Sequence, residues 1–213
     1  MANNPSMYLG TTPIYGNYLG TTKISNILTY TPPKTMTVVI DLTDPNPNTC
    51  CSYADDATSM TAKSSAWDEF FGHYPVLFAN GAETVKLNPN NYAQDINGSS
   101  VDITSGNAGD VMVAFPRRGL KLSTSEDGNT LTISFTNAQD DNNFKYYAHQ
   151  RGDTGFSTFY MGAYDGYVDS NGKLRSLSGK TPAAYKAIGA FRTAAQANGS
   201  GYEQFCFFQL LYL

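Results

Sequence analysis

The sequence predicts an α+β protein in which strands predominate: a β-rich, sandwich-like body followed by a hairpin and two helices. Three observations lead there. Short β-branched or alternating runs recur between residues 36 and 150, punctuated by Asn-Gly, Asp-Gly and Pro/Asn turns. Charged residues are only 15% of the chain while aromatics are 13%, which suits pleated, half-buried surface with a neutral polar exterior. Helix-forming sequence is confined to a segment around Trp67 and to the stretch after Ile188.

Residues 1–35 carry a short repeat. Tyr8-Leu9-Gly10-Thr11-Thr12-Pro13-Ile14 returns ten residues on as Tyr18-Leu19-Gly20-Thr21-Thr22-Lys23-Ile24. Each copy reads as a small strand or turn unit with two apolar anchors. A two-copy repeat cannot build a core. Leu9, Ile14, Leu19 and Ile24 are therefore expected to lie against something larger, and the segment is read as a docking arm. Thr31-Pro32-Pro33 then reads as an extended linker.

Residues 36–150 form the β-rich domain. Residues 36–42 (MTVVIDL) read as a strand, and 65–72 (SAWDEFFG) as a helix capped by Ser64 or Ser65, with Trp67, Phe70 and Phe71 on one face. Residues 75–79 and 84–87 pair across Asn80-Gly81, the strongest turn dipeptide in the chain. Residues 88–91 read as loop leading to a helical turn at Tyr92. Residues 109–116 (GDVMVAFP) form a buried strand. Residues 120–124 and 130–136 alternate cleanly and form a hairpin with one wet face. Residues 144–150 (FKYYAHQ) are expected as a further strand.

Residues 151–213 form the third part. Asn171-Gly172 is expected in a two-residue hairpin turn. A helix over 188–197 ends at Asn198-Gly199. Ser200, with Glu203 three residues on, is expected to cap a final helix over 202–213. That helix is apolar almost all round and must be buried on most sides. Either it plugs into a core built by the hairpin or other polypeptide covers it.

Two runs carry a resemblance. FYMGAYDGYVDSNGKLRS…IGAFRTAAQANGSGYEQFCFFQLLYL is similar to the opening half of the C-type-lectin-like (formylglycine-generating-enzyme-like) domain of bacteriophage tail and receptor-binding proteins. The repeat is similar to LGTT-type repeats near the starts of tail and baseplate proteins of phages that infect Gram-positive bacteria. The second half of the lectin-like domain is absent, and so are a Glu-Pro-Asn calcium tripeptide and the cysteine pair of the sulfatase-modifying enzymes. The resemblance implies a virion protein, without defining a ligand or a chemistry.

Composition removes several classes. The net charge is −4 and the only basic cluster is Arg117-Arg118, which disfavours nucleic-acid binding. No run is long and apolar enough to insert in a membrane, and no secretory signal is visible. Cys50, Cys51 and Cys206 read as free thiols, the adjacent pair being a poor disulfide candidate on geometry. Free thiols suit assembly in a bacterial cytoplasm. With two histidines a zinc site is not expected. The oxygen-rich runs at 140–143 and 165–171 lack a closing Glu for calcium and read as turns. No cofactor is expected.

For catalysis, Asp68 with Asp55 or Asp56 could flank a sugar, beside Glu69 and His73, but solvated acids in a first helical turn explain Asp68 and Glu69 more simply. Arg151-Gly152-Asp153 reads as an ordinary loop. Tyrosines crowd the C-terminal third, and Tyr164, Tyr167 and Tyr185 are the ligand-contact candidates, as rigid rings with polar tips. The resulting expectation is a non-enzymatic, tail- or fibre-associated virion protein. Its partners are other virion proteins, further copies of itself, and a host-surface glycan or protein. The alternatives are a purely structural virion subunit and, third, a glycan-cleaving enzyme.

Overall fold

The computed structural model describes residues 34–61 and 64–213, together with the backbone of four short strands before them. The chain divides into two compact units, Met1–Pro33 and Lys34–Leu213. In the first unit each repeat supplies one hairpin. β1 (Met7–Leu9) pairs with β2 (Thr12–Ile14), and β3 (Tyr18–Leu19) with β4 (Thr22–Lys23). Leu9 stands opposite Thr12 and Leu19 opposite Thr22, so equivalent repeat positions hold equivalent register. Of the four expected anchors, Leu9, Ile14 and Leu19 lie on these strands, and Ile24 lies outside the described residues.

The second unit opens with β5 (Thr35–Asp41), β6 (Cys51–Asp55), a 3-10 turn at Asp56–Ser59 and α1 (Ser65–Phe71). There follow β7 (Tyr74–Ala79), β8 (Ala82–Asn88), β9 (Asn91–Asp95), β10 (Asp110–Pro116), β11 (Gly119–Thr124) and β12 (Thr130–Thr136). A 3-10 turn at Tyr147–His149 leads to β13 (Gln150–Arg151), β14 (Thr154–Gly155) and β15 (Thr158–Gly162). The hairpin β16 (Tyr167–Val168) with β17 (Leu174–Arg175) precedes α2 (Ile188–Gln196) and α3 (Phe207–Tyr212).

Two antiparallel sheets dominate, ordered β15-β10-β7-β8-β9 and β11-β12-β5-β6. Their registers follow the sequence pattern. Asn80 and Gly81 both adopt positive φ (53° and 81°), so Ala79 and Ala82 close a tight hairpin as the dipeptide predicts. Leu120 lies opposite Phe135, and Lys121 opposite Ser134, which in turn faces Thr37. Strand alternation therefore gives the four-stranded sheet one apolar and one polar face.

The apolar faces meet in an aromatic core. Phe115 and Phe159, neighbours in the five-stranded sheet, stack with centroids 4.8 Å apart. Tyr212 of α3 packs edge-on against Phe159 (5.6 Å) and against Phe135 of the other sheet (5.9 Å). Its hydroxyl donates to the carbonyl of Pro116 at 3.2 Å. A second cluster of Leu77, Leu87, Ile103 and Val111 lies against β7, β8 and β10. A third, Met36, Ala57 and Phe70, seats α1.

Several expectations differ from what is observed. The 151–213 segment is not set apart, because β15 is paired with the interior strand β10; the first boundary falls after Pro33 rather than after residue 35. Residues 144–150 make one bridge, Lys145 to Leu120, and then turn. The turn lets His149 enter the core and bond the Phe115 carbonyl at 3.1 Å. Residues 91–95 form β9 instead of a helical turn, because Asn88 and Asn91 pair around a turn in which the Asn88 side chain accepts from the Asn90 N–H. At 169–173 the hairpin turn is longer than two residues: Gly172 alone takes positive φ (75°), and the Asp169 carboxylate accepts the N–H groups of Asn171 and Lys173.

The final helix is shorter than expected. Gly199 and Gly201 adopt positive φ (129° and 88°) and keep the chain non-helical past Ser200. Glu203 is taken by Gln196 Nε2 (2.7 Å) and by Arg151 (3.6 Å), so the capping pair becomes Cys206 with Gln209. Of α3 only Tyr212 is buried. Phe207 and Leu210 are 69% and 65% exposed, against the expectation of burial on most sides.

Candidate functional site

The polar face of the four-stranded sheet carries an open groove of about 570 Å³, within the range of small-molecule sites. Thr35 and Ser134 supply its floor from β5 and β12, and Lys121 enters from β11. Asp55 ends β6, Asp56 opens the 3-10 turn, and Asn143 and Phe144 close one side.

Asp55 is the unusual residue. Its backbone sits at φ 53°, ψ −138°, a region sparsely populated by non-glycine residues and costing roughly 1–3 kcal/mol. Neighbours hold it there. Thr37 Oγ1 donates to Asp55 Oδ2 at 2.5 Å and lies 2.8 Å from Ser134 Oγ. Thr58 Oγ1 donates to the Asp55 carbonyl at 2.8 Å. Asp56 Oδ2 accepts the Thr35 N–H at 2.7 Å. Both anchoring bonds use Oδ2, which leaves Oδ1 of each carboxylate as the acceptor for a ligand. The buried Thr37 and Ser134 hydroxyls brace the pair from below.

The groove can present two carboxylates, one ammonium, an amide and an aromatic ring to a small polar molecule. Donors and acceptors mixed over a short span suit a ligand rich in hydroxyl groups, and Phe144 offers an apolar wall. It brings Asp55 and Asp56 together and leaves out Asp68, which lies in the first turn of α1. The Asp68 pairing considered for glycan cleavage is therefore not assembled there.

The three tyrosines fall in different settings. Tyr164 packs against the Leu77 cluster. Tyr167 is half-buried in its hairpin, with the Lys180 ammonium 5.8 Å from its ring centroid. Tyr185 is fully exposed at a positive φ of 57°. Arg151-Gly152-Asp153 forms the tip of the β13–β14 hairpin, with Gly152 at φ 56°.

Elsewhere the polar clusters read as internal bracing. Tyr74 and Tyr160 both donate to Glu83 Oε1 (2.7 and 2.8 Å), tying β7, β8 and β15. Burial, with Glu83 alongside, pushes the Tyr74 hydroxyl up to about 12. Arg175 clamps β17 to β10 through Asp110 (3.0 and 3.1 Å) and bonds the Gly106 carbonyl (2.9 Å). Among the described residues no group of three His, Cys, Asp or Glu side chains is placed to hold a metal ion.

Lys121, Ser134, Asn143 and Phe144 were not singled out from sequence. The polar positions that share one face of the alternating strands, Thr37, Ser134 and Lys121, carry the signal that could have located the groove. No family model matches the chain, and comparison with curated proteins and with solved structures gives no match.

Proposed function

We propose that the chain is a non-enzymatic binding subunit of a bacteriophage particle, tail- or fibre-associated, that helps host attachment by holding a hydroxyl-rich host-surface ligand in the Asp55–Asp56 groove. The observation that carries the binding role is that groove: a strained Asp55 held by the Thr37 and Thr58 hydroxyls beside a second carboxylate, Lys121 and Asn143. A strained residue fixed by its surroundings is a common mark of a functional site. The virion setting rests on the two sequence resemblances. The repeat folds as two successive hairpins, and a hairpin followed by two helices is the order in which the lectin-like domain opens.

A second reading, a structural virion subunit without a receptor, is favoured by α3. Its exposed Phe207, Leu210 and Leu213 offer an apolar face for a neighbouring copy or another virion protein. The two readings separate in one experiment. Labelled protein is incubated with intact candidate host cells and with particles that lack it. Saturable cell binding competed by whole particles supports host attachment. Particle binding with no cell affinity leaves the structural reading, and release of reducing sugar from cell-surface glycan would replace both with an enzyme.

A further inference from the structure

Successive side chains of an extended strand point to opposite faces, which keeps adjacent cysteines apart. Cys50 escapes that rule because it sits in a bend before the strand. Its N–H donates to the Asn46 carbonyl (2.9 Å), and its own carbonyl accepts from the Asp41 N–H (2.7 Å). β6 begins at the next residue, with Cys51 opposite Ile40. The bend cancels the alternation and brings the two Sγ atoms to 3.6 Å. Cys51 is exposed, Cys50 is half-buried, and β6 is an edge strand.

We propose that Cys50 and Cys51 form a reversible dithiol–disulfide site, oxidised by low-molecular-weight disulfides such as oxidised glutathione. The more exposed Cys51 thiolate attacks one sulfur of the glutathione disulfide and expels one glutathione thiolate. Cys50 then loses its proton and attacks the Cys51 sulfur of the mixed disulfide. The Cys50–Cys51 bond forms and the second glutathione leaves. Two protein thiols are oxidised, one glutathione disulfide is reduced to two thiols, and the two cysteine protons end on those thiols.

The thiol contact with Cys51 and partial burial hold the Cys50 thiol above its ordinary range, which suits the resolving role. Adjacent Cα atoms across a trans peptide are about 3.8 Å apart, less than the usual span of roughly 4.4–6.8 Å for a disulfide. The bond is therefore strained and easily reduced, a labile modification rather than a staple. This inference is independent of the groove and of the virion setting.

The test uses the full chain carrying Cys206→Ser, since serine serves well at the helix N-cap that Cys206 occupies. The folded protein is incubated with oxidised glutathione, quenched in acid and read by intact and tandem mass spectrometry. The expected product has lost two hydrogens, resists iodoacetamide at both cysteines, and is restored by reduced glutathione without denaturant. Adding Cys50→Ser should convert it to a single glutathione adduct on Cys51. Two glutathione adducts on the unsubstituted pair, a disulfide-linked dimer, or no reaction would each overturn the proposal.

Discussion

His149 links the core to pH in a way that can be worked out. It is 0% exposed, its Nε2 bonds the Phe115 carbonyl at 3.1 Å, and its ring lies 5.0 Å from Phe159 and 5.3 Å from Tyr212. Burial, with Arg117 and Arg118 nearby, lowers its pKa from 6.5 to about 4, although the Phe115 carbonyl opposes the shift. Above about pH 6.5 the imidazole is neutral in both the folded and the unfolded chain, and stability does not depend on it. As the pH falls towards 4 the unfolded chain binds a proton that the folded chain refuses, so stability is lost. Below about pH 4 both states are protonated and the loss levels off. The shift corresponds to a loss of about 3 kcal/mol.

The perturbation is His149→Gln, which keeps a donor for the Phe115 carbonyl and does not titrate. Urea unfolding of both proteins is compared at about pH 7 and about pH 4. Wild type should lose about 3 kcal/mol more than the variant over that interval. His73, also lowered to about 4 chiefly by burial, titrates in the same window in both proteins; the charge on His149 adds to its shift, so the comparison reads His149 together with its coupling to His73. An NMR titration of His149 gives an independent readout, with a midpoint near 4. Equal pH dependence in the two proteins, or a midpoint at the ordinary histidine value, would refute the reasoning.

Two further perturbations probe the bracing. Tyr212→Ala empties a site that is 5% exposed between the two sheets and should cost roughly 3–5 kcal/mol by chemical denaturation, whereas Tyr212→Phe loses only the Pro116 bond and should cost about 1 kcal/mol. Equal costs would mean that the hydroxyl, not the ring, anchors α3. Arg175→Ala leaves Asp110 unpaired at 7% exposure and should cost roughly 3–5 kcal/mol, with Arg175→Lys between it and wild type because lysine cannot span Asp110 and the Gly106 carbonyl together. An Arg175→Ala protein as stable as wild type would show that the clamp contributes nothing.

Local chemistry made much of the middle of the chain legible. Asn80-Gly81 specifies its turn through two positive φ angles, and the 120–136 hairpin through strict alternation. Features decided at a distance were not legible. His149 turns inward to reach Phe115, thirty-four residues away in sequence, and so breaks the strand that residues 144–150 suggest. Glu203 is diverted by Gln196 and Arg151, which moves the helix cap to Cys206. Asp55 and Asp56 stand out in the sequence, but the groove needs the hairpin that carries Lys121 and Ser134 to pair with β5, where Ser134 meets Thr37 97 residues away, and local pattern does not reveal that register. The tyrosine count pointed to a region rather than a surface, since Tyr164 faces a core cluster while Tyr185 faces solvent.

The central claim is that the polar groove holds the host-surface ligand. Lys121→Ala with Asn143→Ala strips two ligand-facing groups from its rim, both exposed, and spares the Thr37–Asp55 bracing. The most direct measurement is saturable binding of wild type and this double variant to intact host cells, with unfolding midpoints matched beforehand. At least a tenfold weaker affinity, equivalent to about 1.4 kcal/mol, is predicted for the variant. Unchanged cell binding would contradict the groove as the recognition site.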